Sequence, residues 1–372
     1  MRKGVTIPVA LIAMISLVLI VISPANATSV PNAFKKFARS SMLAKSGILV
    51  IDPVTQTEIF SSGADIPRAP ASVLKLVSSV TALSAFGEEK RFKTSINATS
   101  EADTFLLLGE HDPWLTTSSA SAKKFNRGFS PKLISVMNQA SQGARAVRIK
   151  YHGLFEKDIK NLRAFYGKKY KFKWISQSQV NKLSGVSQLA GIRSPLLSEI
   201  IGFTLLWSDN TLADRLARIS AKEMGFPRGS RGMNQAFVQT LSGLGVGSTG
   251  LRVKDGSGLS HGNRVSVRTV AELLWKIRIE PQFQAIYDGL PVAGKSGTLV
   301  NRFKKSGKSA AKLVRAKTGW INTSVSLAGY VEVENNEYIF AVIANHIKPT
   351  ESSRELARQT IDKMLATVAR PA

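Results

Sequence analysis

The chain has 372 residues, of which 44% are hydrophobic and 20% are charged, and a formal net charge of +26; this composition is typical of a globular protein rather than a disordered one. It contains no cysteine, which excludes disulfide bonds, thiol nucleophiles and cysteine-ligated zinc. Its four histidines lack the spacing of metal ligands, which argues against a zinc hydrolase, so we expect neither a metal nor a cofactor.

The first 27 residues have the order of a secretory signal peptide. Arg2 and Lys3 precede a long apolar stretch, and the segment closes with Pro24 and the small-x-small sequence Ala25–Ala27. The apolar stretch is about as long as the shortest membrane-spanning helices, so an uncleaved anchor is the alternative. Pro24 and the cleavage signature favour removal of the leader. Both interpretations place the rest of the chain outside the cytoplasm, in a cell wall or a periplasm-like space.

The basic excess, 51 Lys and Arg against 25 Asp and Glu, bears on partners. In a cytoplasmic protein it would suggest nucleic-acid binding. In an exported protein, attraction to anionic wall polymers or lipid headgroups is the better interpretation, and nucleic acid is not expected as a partner. A solvated surface that only aids solubility is the alternative. The charge indicates what the protein stays near and not which reaction it performs.

Hydrophobic periodicity predicts the elements of the mature chain. At about 150 residues per domain, the length suggests two domains, or one domain with a large insert. In chain order, the pattern predicts strands over residues 47–52 and 57–60, helices over 71–86, 196–206, 211–224 and 265–279, strands over 325–333 and 338–343, and a helix over 353–369 with Ser352 or Ser353 as N-cap.

Strands at both ends of the chain, with helices between them, predict an α+β fold in which helices flank an antiparallel sheet. From about residue 90 to residue 188, Lys-rich polar breaks alternate with short apolar runs, which indicates an inserted domain of α/β type. The predicted organisation is a signal peptide over residues 1–27, a discontinuous main domain over 28–89 and 189–372, and the insert over 90–188.

Ser72 and Lys75 open the predicted helix over 71–86. At positions i and i+3 they lie on one helical face, so Lys75 can take the proton of the Ser72 hydroxyl if burial lowers its pKa well below about 10.4. The helix N-terminus also offers N–H groups to developing negative charge. Two other S-x-x-K sequences, beginning at Ser121 and Ser309, lie in Lys-rich polar stretches and are interpreted as surface residues.

Two further short motifs follow. Ser208-Asp209-Asn210 lies in a predicted loop between two helices, where a serine can relay a proton and an amide can bind a peptide group; alone, it would be interpreted as loop capping. Lys317-Thr318-Gly319 precedes a predicted strand, where Lys and Thr can bind a carboxylate and Gly permits close substrate approach. The similar sequences Ser95–Asn97 and Lys295–Gly297 lack this context and rank below.

The order S-x-x-K, S-D-N, K-T-G is the set used by penicillin-binding proteins and class A β-lactamases. More specific segments accompany it: Pro67–Lys75, Leu107–Pro113, Ser194–Ser198, Asp255–Ser260, Leu290–Gly294 and Gly297–Leu299. With these, the chain from about residue 47 to residue 345 resembles the D-alanyl-D-alanine carboxypeptidase family of the penicillin-binding-protein-4 type (peptidase family S13). The resemblance implies a penicillin-binding-protein/β-lactamase-like transpeptidase fold with an inserted domain.

The resemblance also implies the reaction, which is hydrolysis of peptidoglycan stem peptides that end in D-Ala-D-Ala. Ser72 would attack the penultimate D-alanine carbonyl to form an acyl-enzyme, and Lys75 would accept its proton. Ser208 would pass a proton to the leaving amine. Water would then release the shortened peptide, and β-lactams would acylate the same serine and leave slowly.

The remaining motif residues would bind the substrate. Asn210 would hold the peptide backbone, and Lys317 and Thr318 would bind the terminal carboxylate, with Gly319 beside them. The backbone N–H groups of the nucleophile and of Trp320 would form the oxyanion hole. Trp320 stands where the family commonly has a small residue or threonine, so its side chain is expected to narrow the cleft.

The chain departs from the family pattern in two other ways, both in the predicted insert. These departures affect the range of substrates that we expect. The stretch between Ser72 and Ser208 is shorter than is usual for this family, which indicates a reduced insert. Glu110 and His111 stand where the family's Gly-x-Gly-Asp-Pro segment has glycine.

Three alternatives to the carboxypeptidase stay open. An endopeptidase acting on peptidoglycan crosslinks would use the same residues. A β-lactamase would need a general-base glutamate motif for rapid deacylation, and none is recognisable. A catalytically silent wall-binding module is disfavoured because the three motifs are intact.

Overall fold

The computed structural model describes residues 29–142, 144, 146–333 and 336–369. The predicted signal peptide lies outside these residues. Within them, no helix combines the length and the apolar character that crossing a membrane requires.

The secondary structure of the described residues follows the hydrophobic pattern closely. The strands are β1 (Gly47–Ile51), β2 (Glu58–Ser62), β3 (Lys93–Ala98), β4 (Thr104–Gly109), β5 (Leu115–Thr116), β6 (Gly128–Phe129), β7 (Val147–His152), β8 (Tyr170–Trp174), β9 (Ser187–Arg193), β10 (Val314–Ile321), β11 (Ser324–Val333) and β12 (Asn336–Asn345). The helices are α1 (Asn32–Ala38), α2 (Lys75–Phe86), α3 (Ser119–Phe125), α4 (Pro131–Ala140), α5 (Glu156–Tyr166), α6 (Gln177–Asn181), α7 (Leu197–Trp207), α8 (Asn210–Glu223), α9 (Ser230–Gly243), α10 (Val267–Ile279), α11 (Gln284–Gly289) and α12 (Glu351–Val368). Short 3₁₀ turns cover Ser41–Leu43, Ala71–Leu74, Pro281–Phe283, Gly297–Leu299 and Lys308–Ala310.

The main sheet has the order β10-β11-β12-β1-β2, and all its neighbouring strands are antiparallel. β1 pairs with β12, so that Gly47 lies opposite Ile343. The predicted antiparallel sheet assembled from both ends of the chain is therefore confirmed. All five residues of β1 are buried, because hydrophobic layers cover both faces of the sheet.

The two layers take alternate side chains of each strand, as the period of two requires. Leu49 packs into a core that contains residues of α2, α7, α8 and α10. Its neighbours Ile48 and Val50 pack on the other side, against residues of α1 and α12. The predicted α+β architecture, with a sheet flanked by helices, is confirmed. The first of these cores seats α2, which follows directly on the turn that carries Ser72.

A second sheet, with the order β8-β7-β4-β3-β9, lies in the region predicted as the insert. β4, β7 and β8 are parallel, whereas β3 is antiparallel to both of its neighbours. It has its own core, to which α4 and α5 contribute. The last strand, β9, continues to Arg193, beyond the predicted boundary at residue 188. The division into domains stays a prediction.

One helix-capping prediction was wrong. The N-cap of α12 is Thr350, whose hydroxyl accepts a hydrogen bond from the Ser353 backbone N–H at 3.2 Å. The cap lies two residues before the nearer of the two predicted serines. Thr is among the preferred capping residues although it ranks below Ser, so residue type alone pointed to the wrong position.

Candidate active site

Ser72 lies in the 3₁₀ turn that leads into α2. The preceding residue, Ala71, has a φ of +49°, a left-handed conformation that residues with a side chain adopt rarely. The turn exposes part of Ser72 on the wall of a cleft of about 930 Å³. Five other residues of the predicted site also line this cleft: Ser208, Asn210, Thr318, Gly319 and Trp320.

Lys75 lies one helical turn after Ser72 and is completely buried. Its Nζ donates to the Ser72 Oγ at 2.8 Å, to the Asn210 Oδ1 at 2.7 Å and to the Ser257 carbonyl at 2.7 Å. The amide oxygen and the carbonyl can only accept hydrogen bonds, so they hold two N–H groups of the amine. The third direction, toward Ser72, is therefore the one in which a neutral amine presents its lone pair.

The surroundings of Lys75 favour that neutral form. Burial lowers the pKa of Lys75 to about 7, although the negative charges of Asp255 and Asp209 act in the opposite direction. At neutral pH a large share of the molecules therefore carries an uncharged amine 2.8 Å from the Ser72 hydroxyl. A general base with a pKa near the working pH is well matched to proton abstraction.

Ser208 lies between α7 and α8, and its φ of +57° is also left-handed. The loop is shorter than predicted, because Trp207 ends α7 and Asn210 begins α8. The Nζ of Lys317 donates to the Ser208 Oγ at 2.9 Å. Burial and the charge of Lys75 hold the pKa of Lys317 well below its ordinary value. Ser208 thus has a buried amine behind it and the cleft in front of it.

Asp209, the middle residue of this motif, has a structural role. Its Oδ1 accepts a hydrogen bond from the Leu212 N–H at 2.9 Å and so caps α8. Its Oδ2 lies 3.7 Å from the Arg127 guanidinium, which also faces the Trp114 ring at 5.0 Å. The S-D-N loop is therefore anchored to the segment between β5 and β6.

The edge strand β10 forms the opposite wall of the cleft. The hydroxyl of Thr318 donates to the Thr298 hydroxyl at 2.8 Å. A Cβ added at Gly319 would overlap the Ser326 hydroxyl and lie 2.9 Å from the Ser72 backbone nitrogen. The absence of a side chain at Gly319 therefore lets the strand approach the nucleophile.

Trp320 is half exposed, and its ring faces the guanidinium groups of Arg354 and Arg358 on α12 at 5.5 and 5.3 Å. Trp320 lines the cleft together with Arg358. The bulky residue thus extends the wall of the cleft toward α12.

The loop over residues 255–260, which supplies the Ser257 carbonyl, had no predicted catalytic role. The Oδ1 of Asp255 accepts hydrogen bonds from the backbone N–H groups of Ser257 and Gly258, both at 2.8 Å, and its Oδ2 accepts from that of Ser260 at 2.8 Å. Asp followed by Gly and Ser typically forms such turns. That pattern was a detectable signal for a rigid loop, although not for its contact with Lys75.

Gly258 allows this loop to pass the nucleophile turn. It has a φ of +84°, and an added Cβ would overlap the carbonyl of Ala71. We expect Gly258→Ala to lower the free energy of unfolding by about 1–3 kcal/mol and to slow acylation by displacing the Ser257 carbonyl. Urea unfolding is the measurement. Gly243→Ala is the matched control, because nothing lies within 4 Å of its added Cβ; an equal loss in both variants would contradict the argument.

The similar sequences lie elsewhere. Helix α3, which contains Ser121, has no buried residue, and the Ser309 hydroxyl donates to the Ala366 carbonyl. Asn97 donates to its own strand neighbour, Ser95, at 3.0 Å. None of these residues, nor Lys295, lines the cleft. Among the described residues, no group of three or more His, Asp or Glu side chains is placed to hold a metal ion.

His111, one of the departures from the family's Gly-x-Gly-Asp-Pro segment, has an unusual backbone conformation. His111 has a φ of +56°, the conformation that glycine adopts without strain. A histidine therefore occupies a left-handed backbone position in this chain. Burial lowers the pKa of His111 to about 3, so the ring is neutral at neutral pH.

Comparison with known proteins agrees with this geometry. The sequence profile of the D-Ala-D-Ala carboxypeptidase 3 (S13) family matches residues 35–149 and 167–368. Carboxypeptidase DacB of Mycolicibacterium smegmatis is 26% identical over 373 residues, which cover 86% of this chain and 79% of that protein.

Two solved structures share the fold. Penicillin binding protein 4 from Haemophilus influenzae has a TM-score of 0.71 at 15% identity, covering 91% of this chain and 99% of that chain. A predatory peptidoglycan endopeptidase from Bdellovibrio bacteriovorus has a TM-score of 0.65 at 17% identity, covering 87% and 92%. The transpeptidase-like fold implied by the motifs is thereby confirmed. Because its profile matches most of the residues, the chain belongs to the D-Ala-D-Ala carboxypeptidase 3 (S13) family.

Proposed function

We propose that this protein is a serine-type D-Ala-D-Ala carboxypeptidase, which removes the terminal D-alanine of peptidoglycan stem peptides through an acyl-enzyme on Ser72. The observation that carries the proposal is the hydrogen bond of 2.8 Å between the Ser72 hydroxyl and the buried Lys75 amine. Membership of the S13 family supports the reaction class.

In the acylation step, the Ser72 Oγ attacks the carbonyl carbon of the penultimate D-alanine, and its proton moves to the Lys75 Nζ. The negative charge that develops on the carbonyl oxygen is taken up by the backbone N–H groups of Ser72 and Trp320. The closeness of Gly319 to the Ser72 nitrogen supports this oxyanion hole, because it brings the two segments together.

The C–N bond then breaks, and the leaving nitrogen takes a proton from the Ser208 hydroxyl. The proton that Lys75 accepted from Ser72 then restores the Ser208 hydroxyl, so that Lys75 is neutral again. The hydrogen bond from Lys317 to Ser208 supports this role of Ser208, because it holds the hydroxyl in place. In the second half-reaction, water attacks the acyl carbon and gives a proton to Lys75. Lys75 passes this proton to the Ser72 Oγ as the ester bond breaks, which frees Ser72 and the shortened peptide. A β-lactam would form the same ester but would leave no space for water to attack, so it would inhibit the enzyme.

The polar groups of the cleft support recognition of a peptide with a free carboxylate. Thr318 presents its hydroxyl from the edge of β10, and the Lys317 Nζ lies behind it, where it donates to the Thr318 carbonyl at 2.9 Å. Asn210, held at 2.7 Å from Lys75, can use its remaining amide hydrogens to bind the peptide backbone. We further propose that the enzyme acts outside the cytoplasm, where peptidoglycan lies, and that its positive charge keeps it near anionic wall polymers or headgroups.

Labelling with penicillin tests the proposal directly. The purified protein is incubated with labelled penicillin, and the adduct is located by mass spectrometry of its peptides. We expect one adduct, on Ser72. A protein that stays unlabelled, or one that carries the label on another residue, would overturn the proposed mechanism.

A crosslink endopeptidase is the second candidate, and the size of the cleft favours considering it. The cleft continues past Trp320 to Glu351, Glu355 and Arg358 on α12, and its volume of about 930 Å³ is large for a leaving D-alanine. Rates on a free pentapeptide and on a crosslinked muropeptide dimer distinguish the two. Faster turnover of the dimer would assign the enzyme to crosslinks.

A further inference from the structure

The strands β7 and β8 carry basic side chains in register at one edge of the second sheet. In this parallel pair, Arg148 lies opposite Lys171, and Lys150 lies opposite Lys173. Alternate residues of a strand point to the same face, so all four side chains belong to one face of the sheet. We call these four residues the cation ladder. Three of them are exposed, and Lys150 is half-buried.

Few acidic side chains neutralise the positive charge of the cation ladder. Among the described residues, its ion pairs include one carboxylate, that of Glu101, which binds the Lys150 Nζ. The nearby charges of Arg148 and Lys173 also contribute to the lowered pKa of Glu101. Four cations therefore share a single acidic neighbour. Like charges placed directly opposite each other destabilise a sheet, so this arrangement has an electrostatic cost that an external anion would relieve.

The charge around the ladder has the same sign. The stretch over residues 145–173 contains ten Lys and Arg but two Asp and Glu. One of these acids, Asp158, is buried against Arg215 and is not available to the surface. Lys168 and Lys169 are exposed just before β8 and add two cations close to the ladder in the chain. This stretch therefore carries +8 of the net charge of +26, a larger share than its length alone would give.

The chemistry of this face distinguishes a polymer from a bilayer. The apolar residues Ile149 and Phe172 occupy the alternate positions of the strands and pack in the core on the other face. Trp174, exposed at the end of β8, lies two residues after Phe172. Its side chain therefore belongs to the same face as that of Phe172 and not to the face of the ladder. Stable attachment to a membrane surface usually adds buried apolar groups or a lipid anchor to the charge, whereas the ladder offers charge alone.

We propose that the cation ladder binds a linear polymer in the cell envelope that carries repeated anionic phosphate groups. The ladder residues do not line the catalytic cleft, so the bound polymer would hold the enzyme in place and leave the cleft open to peptides. The cation ladder would therefore be a docking surface at a defined place, the β7–β8 edge of the second sheet. The sequence alone indicated only that the protein is basic.

Long-chain inorganic polyphosphate is the probe for this test. We compare the protein with a ladder variant, Arg148→Gln/Lys171→Gln/Lys173→Gln, by measuring the dissociation constant at several salt concentrations. We expect the ladder variant to bind at least about tenfold more weakly and its salt dependence to become shallower by two to three charges. The matched control is Lys304→Gln/Lys305→Gln/Lys308→Gln, which removes the same charge from exposed lysines on another part of the surface.

Each outcome decides the proposal. Weaker binding by the ladder variant alone supports it, and equal weakening in both variants overturns it, because net charge would then be sufficient. Vesicles of phosphatidylglycerol and phosphatidylcholine form the second arm. If the ladder variant loses vesicle binding but keeps polyphosphate binding, the surface docks a membrane and the proposal is wrong. Hydrolysis of a soluble D-Ala-D-Ala peptide should stay the same in all variants, and this readout is independent of the binding result.

Discussion

The variant Ser72→Ala is expected to lose both peptide hydrolysis and penicillin labelling, with kcat reduced by at least about 10⁴-fold. Removal of a nucleophile has effects of this size in serine hydrolases, and alanine offers no oxygen for the acyl-enzyme. Lys75 keeps its hydrogen bonds to Asn210 and Ser257, so the fold should be retained. The measurements are steady-state hydrolysis of a D-Ala-D-Ala peptide and quantitative labelling.

Ser309→Ala is the control for this prediction. Ser309 begins another S-x-x-K sequence, but its hydroxyl bonds to a backbone carbonyl away from the cleft. We expect this variant to keep its activity. Labelling of the Ser72→Ala protein at the level of the unmodified protein would refute the assignment of the nucleophile.

The second large effect concerns Lys75 and pH. An amine accepts a proton only when it is neutral, so acylation should be slow at low pH and should rise as Lys75 loses its proton. Because burial lowers the pKa of Lys75 to about 7, the rate of penicillin acylation should increase about tenfold per pH unit below that value and level off above it. Stopped-flow acylation across a pH series measures the profile.

Lys75→Arg should remove that rise and slow acylation by about 10²–10⁴-fold, because guanidinium stays protonated throughout the range. The control is Lys312→Arg, which alters the lysine of the Ser309 sequence and should retain the normal profile. A flat profile across neutral pH in the unmodified protein would contradict the role of Lys75 as the base.

Much of the site could be predicted because its chemistry depends on side chains in short motifs. Ser72, Lys75 and Ser208 occur where a helix start and a loop were expected, whereas Lys317 lies in β10, a strand that was not predicted. The contacts among these residues and Asn210 join the three motifs. The contribution of Ser257 could not be predicted, because a backbone carbonyl leaves no trace in residue identity. Only the folded loop brings it to Lys75.

The fold shows a similar limit. Continuous apolar runs predicted β1, β11 and β12, since both of their faces are buried. Helix α9 was absent from the prediction, because Gly232 and the polar residues at its ends weaken the helical pattern while Met233 and Phe237 pack in the core. The register of β7 and β8 was equally beyond reach, since strand pairing is a non-local property.

The position of β1 in the main sheet has a consequence for when the enzyme becomes active. β1 is paired on one side with β2 and on the other with β12, so one edge of it lacks its partner until almost the whole chain has been synthesised. Contacts between such distant segments form late and slowly, and synthesis proceeds from the N-terminus. A nascent or truncated chain therefore contains Ser72 but neither Lys317 nor the strand that completes the sheet. A chain that ends before β12 is therefore expected to lack hydrolytic activity, even though it contains the nucleophile.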